Sequence, residues 1–150
     1  MRKITTSMLG LAAVLTLATP ASATDSDALC SLYSKTGGSV VEFMLPLTMQ
    51  QFVDMMAGKN PGLMNQMTQA LVSEFDEADL IALASVDQQK AQVIGEAAGQ
   101  VAIELLMSGQ ATSKAEIVNA MSTSCKAVGP DVIIANQMRA NAAVDANMGK

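Results

Sequence analysis

Residues 86–108, VDQQKAQVIGEAAGQVAIELLMS, are the stretch of this sequence that most clearly predicts its fold class. Apolar residues recur there at i, i+4, i+7 and i+11, the spacing that places side chains on one face of an α-helix. They are Ile94, Ala98, Val101 and Leu105. Polar residues take the opposite face, so the pattern predicts a long amphipathic helix whose apolar side packs in a core.

Two further features of this stretch concern its start and its interior. Ser85 and Gln88 have the spacing of a capping box, which predicts where the helix begins. Gly95 and Gly99 lie four residues apart in the interior, where each Gly costs about 1 kcal/mol relative to Ala. We interpret this pair as the site of a close helix contact. We expect that contact inside the chain, although a contact across a homodimer would also satisfy the pattern.

The remaining sequence shows the same helical spacing and no period-two alternation that would predict a strand. Besides 86–108, the segments with helical spacing are residues 26–36, 39–57, 60–71, 73–85, 114–128 and 131–139. Beyond Arg139 the sequence is rich in Ala and Asn, and we expect fraying there. Short connections are typical of helical bundles. We therefore predict an all-α fold, a compact bundle of about six helices in one domain.

Glycine and proline predict where these helices are interrupted. Gly37 and Gly38 are expected to loosen or end the first helix. Pro46 is expected to kink or break the second. Asn60 followed by Pro61 has the pattern of an N-cap and a first helical position, so it predicts a helix start.

The first 23 residues have the three parts of a bacterial secretory signal peptide. Basic Arg2 and Lys3 are followed by a short apolar run, residues 8–18, which is too short to span a bilayer. Residues 21–23, ASA, fit the small-x-small cleavage rule. We expect cleavage after Ala23, with residues 24–150 as the mature domain. Its predicted location is the periplasm, with secretion to the medium as the alternative.

Removal of the signal peptide changes the charge of the chain. All fourteen acidic residues but only seven of the nine basic ones follow position 23, so the net charge falls from −5 to −7. An acidic chain with 3% aromatic residues lacks the cationic track and stacking platforms of nucleic-acid-binding proteins. No apolar stretch after position 23 reaches transmembrane length. We therefore expect neither nucleic-acid binding nor stable membrane insertion.

The chain contains no His and two Cys. Imidazole catalysis, His-ligated metals and four-cysteine metal sites are thereby excluded, and we predict no catalytic residue, metal or cofactor. In an oxidising compartment Cys30 and Cys125 are expected to form a structural disulfide that closes a loop of about 95 residues. A redox-active pair is the alternative, but the C-x-x-C spacing typical of such pairs is absent.

Four acidic residues crowd one predicted helix start: Glu74, Asp76, Glu77 and Asp79. Because the helix dipole stabilises negative charge at this end, we favour a solvated helix head. A cation site and a carboxylate pair for glycoside cleavage are the alternatives.

Ten methionines remain after the signal peptide, and six of them lie between positions 44 and 67. They are Met44, Met49, Met55, Met56, Met64 and Met67. Thioether side chains fill gaps in cores, line adaptable apolar grooves or bind Cu(I). We favour core packing, then a groove, and copper last, because no His accompanies these residues. These six are also the residues we predict for an apolar binding surface.

Residues 47–51, LTMQQ, resemble the L-T-x-x-Q signature of the Spy/CpxP family of periplasmic helical chaperones. That family carries two such motifs and highly charged helices, whereas this chain has one motif and sparse charge. Membership is therefore not assigned, but the resemblance adds weight to a chaperone interpretation.

These features favour a protein that acts by binding other proteins and not as an enzyme. The first form is a chaperone or stress-protective protein with a Met-lined groove. The second is an inhibitor or immunity protein whose acidic surface binds a toxin or envelope enzyme. The least favoured alternative is a carboxylate-based enzyme that acts on the cell wall. A buried Glu96 or Glu104 would indicate such an enzyme.

Overall fold

The computed structural model of the chain describes residues 25–149. These residues form seven helices and no strand, which confirms the predicted all-α class. The helices are α1 (residues 25–44), α2 (Met49–Met56), α3 (Pro61–Ser73), α4 (Glu77–Ala84), α5 (Gln88–Met107), α6 (Lys114–Val128) and α7 (Pro130–Met148). None of these described helices combines the length and apolar character needed to cross a membrane. The predicted signal peptide, residues 1–23, lies outside the described residues.

Helix α1 is the central element of the core. It continues through Gly37 and Gly38, so the predicted interruption at this pair is wrong. The two glycines instead mark a close contact with α6. A Cβ atom at Gly37 would lie 2.2 Å from Met121 Sδ, and one at Gly38 would lie 2.4 Å from Val118 Cγ2. Packing between the two helices therefore offsets the low helix propensity of glycine.

The close contact predicted at Gly95 and Gly99 is not found within the described chain. A Cβ atom at either position would have no neighbour within 4 Å, so the prediction of an intrachain contact there is wrong. Helix α5 packs on the core through small residues on another side, where Ala98 and Ala102 are fully buried. The two glycines lie on a partly exposed flank of the same helix.

Helices α1, α5, α6 and α7 supply most of the buried apolar side chains. The largest fully buried ones are Leu29, Val41, Ile94, Ile117, Met121 and Cys125. Burial of a side chain of this size contributes about 1.5–3 kcal/mol, so the bundle is held chiefly by these contacts.

The predicted disulfide between Cys30 of α1 and Cys125 of α6 is confirmed. The two Cα atoms lie 5.6 Å apart, and both residues are buried. The bond joins positions 95 residues apart in sequence. It therefore ties α1 covalently to the same helix that Gly37 and Gly38 contact.

One predicted helix start is confirmed and another is wrong. The Asn60 side chain caps α3, as predicted. Helix α5 is capped by Asp87, whose side chain accepts from the Lys90 backbone N–H, and not by Ser85. Ser85 is the C-cap of α4 instead, and Val86, between the two helices, is buried in the core.

Two predictions about helix ends have opposite outcomes. Helix α1 ends two residues before Pro46, which confirms the predicted break. Helix α7 continues to Met148, so the expected loss of helix beyond Arg139 is not found. Alanine, frequent in this stretch, is the strongest helix former. Asn141 also donates from Nδ2 to Glu96 on α5 at 2.9 Å, which anchors this part of α7.

Helices α2, α3 and α4 lie outside the main core. Met55 is the only buried residue in the three, and it is not part of the core cluster formed by the other helices. The Met-rich stretch of the sequence therefore lies mainly in a peripheral segment, residues 49–84, which we call the outer segment.

The disulfide is expected to provide a large part of the stability. Replacing both cysteines, C30A/C125A, should lower the free energy of unfolding by about 2–5 kcal/mol, because the bond restricts a long loop in the unfolded chain. Urea unfolding followed by circular dichroism measures this loss. Reduced wild-type protein is the matched control and should unfold at the same urea concentration as the variant. A loss below about 1 kcal/mol would contradict the expected role.

Replacement of glycine by alanine is expected to lower the free energy of unfolding at Gly38 and to raise it at Gly95. In G38A the new Cβ overlaps Val118, which has few alternative rotamers in a helix, so stability should fall by about 1–3 kcal/mol. In G95A the Cβ has open space, so stability should rise by about 0.5–1 kcal/mol. Urea unfolding compares the two variants, and equal responses would show that Gly38 is not at a close contact.

Candidate apolar binding site

The candidate site lies where the chain leaves α1 and enters α2. Thr48 caps α2 and forms a capping box with Gln51. The Gln51 backbone N–H donates to Thr48 Oγ1 at 3.2 Å, and the Thr48 N–H donates to Gln51 Oε1 at 2.9 Å. Two of the three residues shared with the L-T-x-x-Q signature therefore serve as a helix start in this chain.

An apolar cleft of about 180 Å³ lies between this turn and the end of α5. It is lined by Met44, Leu47, Thr48, Met49, Phe52, Leu106 and Met107. All of these side chains except that of Thr48 are apolar. The volume lies below the roughly 300 Å³ at which ligand pockets begin, so the cleft is suited to one or two side chains of a partner.

Helix α2 exposes a row of large apolar residues beside the cleft. Met49, Val53 and Met56 follow the i, i+4, i+7 spacing of one helix face and are 74%, 50% and 66% exposed. We call these three residues the α2 stripe. A surface helix normally has a polar outer face, and a clustered apolar patch on a protein surface is typical of an interaction site.

Three of the six predicted methionines lie in or next to this site. Met44 and Met49 line the apolar cleft, and Met49 and Met56 belong to the α2 stripe. Met55, on another side of α2, is 5% exposed and so holds the helix against the rest of the molecule. The six residues therefore divide between packing and exposure, and a role in binding stays a prediction.

Two predicted residues do not line the apolar cleft, and two residues that line it were not predicted. Met64 and Met67 lie on α3 and do not line the apolar cleft. Leu106 and Met107, which line it from α5, were not predicted. The sequence did carry a signal for them, because both are large apolar residues at the end of the most strongly periodic helix. Met107 is 77% exposed there.

Ion pairs join the outer segment to the core. Lys114 Nζ of α6 lies 2.5 Å from Glu74 Oε1, next to the end of α3, and 2.8 Å from Glu42 Oε2 of α1. Lys35 of α1 pairs with Asp79 of α4. Helices α3 and α4 have no fully buried residue, so these ion pairs add to the packing of partly buried side chains such as Ala82, which contacts the core.

The predicted acidic cluster is used in these contacts. Glu74 and Asp79 pair with lysines, while Asp76 caps α4 by accepting from the Asp79 backbone N–H at 2.8 Å. Glu77 lies in the first turn of α4, as expected for a helix head. Within residues 25–149, no group of three or more Cys, Asp and Glu side chains is arranged to hold a metal ion.

The ion pairs shift the pKa values of their members. A hydrogen bond from Lys35 holds the pKa of Asp79 below its usual value of 3.8. Hydrogen bonds to Glu42 and Glu74 raise the pKa of Lys114 above its usual value of 10.5. Both shifts favour the charged forms, so these pairs stabilise the attachment at neutral pH.

Comparisons of the chain with protein-family models, with curated proteins and with solved structures find no match.

The pairing of Asp79 predicts an acid-dependent loss of stability. Because its pKa is depressed in the folded state, Asp79 stabilises the fold above its usual pKa of 3.8, and this contribution is lost as the pH falls through the folded-state pKa. In K35M the Asp79 pKa should return towards 3.8, measured by an NMR titration of its carboxyl carbon. K59M, at an exposed lysine on the turn before α3, is the control. An unchanged Asp79 pKa in K35M would contradict the assigned pair.

Proposed function

We propose that this chain is an exported, periplasmic protein of chaperone or stress-protective type, which binds apolar segments of other proteins without catalysis. The observation that carries the proposal is the α2 stripe together with the apolar cleft. Exposed methionines adapt to partners of different shape, because their side chains are flexible and polarisable. The signal-peptide pattern at residues 1–23 supports the proposed location.

The position of the apolar surface also supports this function. The outer segment fully buries one residue, Met55, and is otherwise attached by partly buried side chains such as Ala82 and by ion pairs. Apolar residues on its outside therefore are not needed for the core. The net charge of −7 expected after export keeps such a surface soluble and disfavours self-association.

The alternatives receive less support from the same residues. An inhibitor that uses an acidic face needs unpaired carboxylates, whereas two members of the predicted acidic cluster, Glu74 and Asp79, are paired with lysines. A carboxylate enzyme was expected to bury Glu96 or Glu104, and both are exposed.

A matched pair of double variants tests the proposal. M49Q/M107Q removes two methionines of the site that are 74% and 77% exposed. V144Q/M148Q removes two apolar residues of α7 that are 54% and 75% exposed and serves as the control. The assay follows light scattering when guanidinium-unfolded malate dehydrogenase is diluted into buffer that contains the mature protein. M49Q/M107Q should need about tenfold more protein for half-maximal suppression, which corresponds to roughly 1.4 kcal/mol, while the control should act like wild type.

Two outcomes would contradict the proposal. One is that the wild-type protein does not suppress aggregation at all. The other is that both double variants lose activity equally, because the effect would then follow general surface hydrophobicity. Capture of a single stoichiometric envelope protein by all three proteins, without suppression of aggregation, would favour the inhibitor alternative.

A further inference from the structure

A second cleft, of about 430 Å³, lies between α1, α5, α6 and α7 and shares no residue with the apolar cleft. Its walls include Val101 of α5 and Val132 and Ile133 of α7. Tyr33 of α1 and Gln137 of α7 also line it, although these two residues are 3% and 6% exposed. A volume in this range with apolar walls and a few polar groups is typical of small-molecule sites. We call it the Tyr33 cleft.

The Tyr33 hydroxyl is one of the polar groups that this cleft offers. No hydrogen bond joins it to another of residues 25–149, and it is not among the fully buried side-chain atoms without a partner, of which Thr36 Oγ1 is the one found in this part of the chain. Burial, together with the charge of Glu104, raises the pKa of Tyr33 above its usual value of 10.0. The hydroxyl is therefore protonated at neutral pH and can donate to a molecule in the cleft.

The Gln137 side chain supplies an acceptor, and its orientation follows from its neighbours. A carboxylate can only accept, so Asn141 must turn its NH₂ group to Glu96 Oε2, at 2.9 Å. The Asn141 carbonyl oxygen then accepts from Gln137 Nε2, also at 2.9 Å. This chain of hydrogen bonds engages the Gln137 NH₂ group. The Gln137 carbonyl oxygen accepts from no described residue and is left to a ligand.

The charges around the cleft restrict the ligand further. None of the residues that line it is charged. The negative charge of Glu104 acts on Tyr33 and would repel an anion placed beside its hydroxyl. A full charge on a ligand would lose its hydration without gaining an ion pair from the walls.

We propose that the Tyr33 cleft binds a small uncharged molecule with an apolar body and a hydroxyl or primary amide head. The head accepts a hydrogen bond from Tyr33 and donates one to the Gln137 carbonyl oxygen. The body packs against Val101, Val132 and Ile133. This site is separate from the proposed protein-binding surface, and its test does not depend on that function.

Three probes with the same naphthalene body separate the possible ligand charges. They are 1-naphthol, 1-naphthoate and 1-naphthylmethylammonium, and binding to the mature protein is measured by calorimetry at pH 7. We expect 1-naphthol to bind at least tenfold more tightly than either ion. Absence of naphthol binding, or equal affinity for all three probes, would overturn the proposal.

Variants of the cleft locate the bound probe. Y33F removes only the hydroxyl and should lower the affinity for 1-naphthol about 2- to 10-fold, the range expected for one neutral hydrogen bond. A140L places a larger side chain at an exposed lining position and should abolish binding, whereas A143L, exposed on α7 but outside the lining, should leave it unchanged. Urea unfolding of each variant checks that it is folded.

The M49Q/M107Q variant separates this site from the apolar cleft. It should bind 1-naphthol as wild type does, because neither residue lines the Tyr33 cleft. Loss of binding in M49Q/M107Q with unchanged binding in Y33F and A140L would place the probe in the other cleft and overturn the inference.

Discussion

The close contact between α1 and α6 is the constraint on which the rest of the structure depends. Gly37 and Gly38 leave no room for a side chain against Met121 and Val118, and the buried Cys30–Cys125 bond ties the same two helices. Glycine is normally unfavourable within a helix, so this arrangement exists because tertiary packing overrides local propensity. With α1 fixed in this way, α5 and α7 complete the core around it.

This arrangement separates the residues that stabilise the fold from those that face outward. The core draws on α1, α5, α6 and α7, while the outer segment is attached by Met55, by Ala82, which packs against the core, and by ion pairs with the lysines at positions 35 and 114. An apolar surface such as the α2 stripe can therefore vary without disturbing the core. The Tyr33 cleft is different, because it is built from the core helices themselves and is expected to be the more rigid of the two sites.

The parts of the fold that were predictable from the sequence are those set by local patterns. Helical spacing, the Asn60-Pro61 start, the break before Pro46 and the acidic head of α4 all follow from neighbouring residues. The disulfide was predictable because two cysteines permit one pairing. The glycine pairs were misinterpreted because a glycine that weakens a helix and one that admits a neighbouring helix look alike in sequence. Only the position of α6 distinguishes Gly37 from Gly95.

The candidate site was predictable only in part, for a related reason. A methionine that fills a core and one that is exposed have the same helical spacing, as Met55 and Met56 illustrate. The contribution of Met107 depends on how α5 ends beside α2, and the cleft at Tyr33 depends on four helices at once. Neither arrangement is encoded in a short motif.

The central claim is that partners bind at the α2 stripe and the apolar cleft. Hydrogen–deuterium exchange with mass spectrometry, performed with and without guanidinium-unfolded malate dehydrogenase, tests it most directly. We predict that the unfolded protein slows exchange in peptides that cover residues 44–56 and 103–110 and leaves residues 138–149 unchanged. Slower exchange confined to α7, or no change anywhere in the chain, would contradict the account.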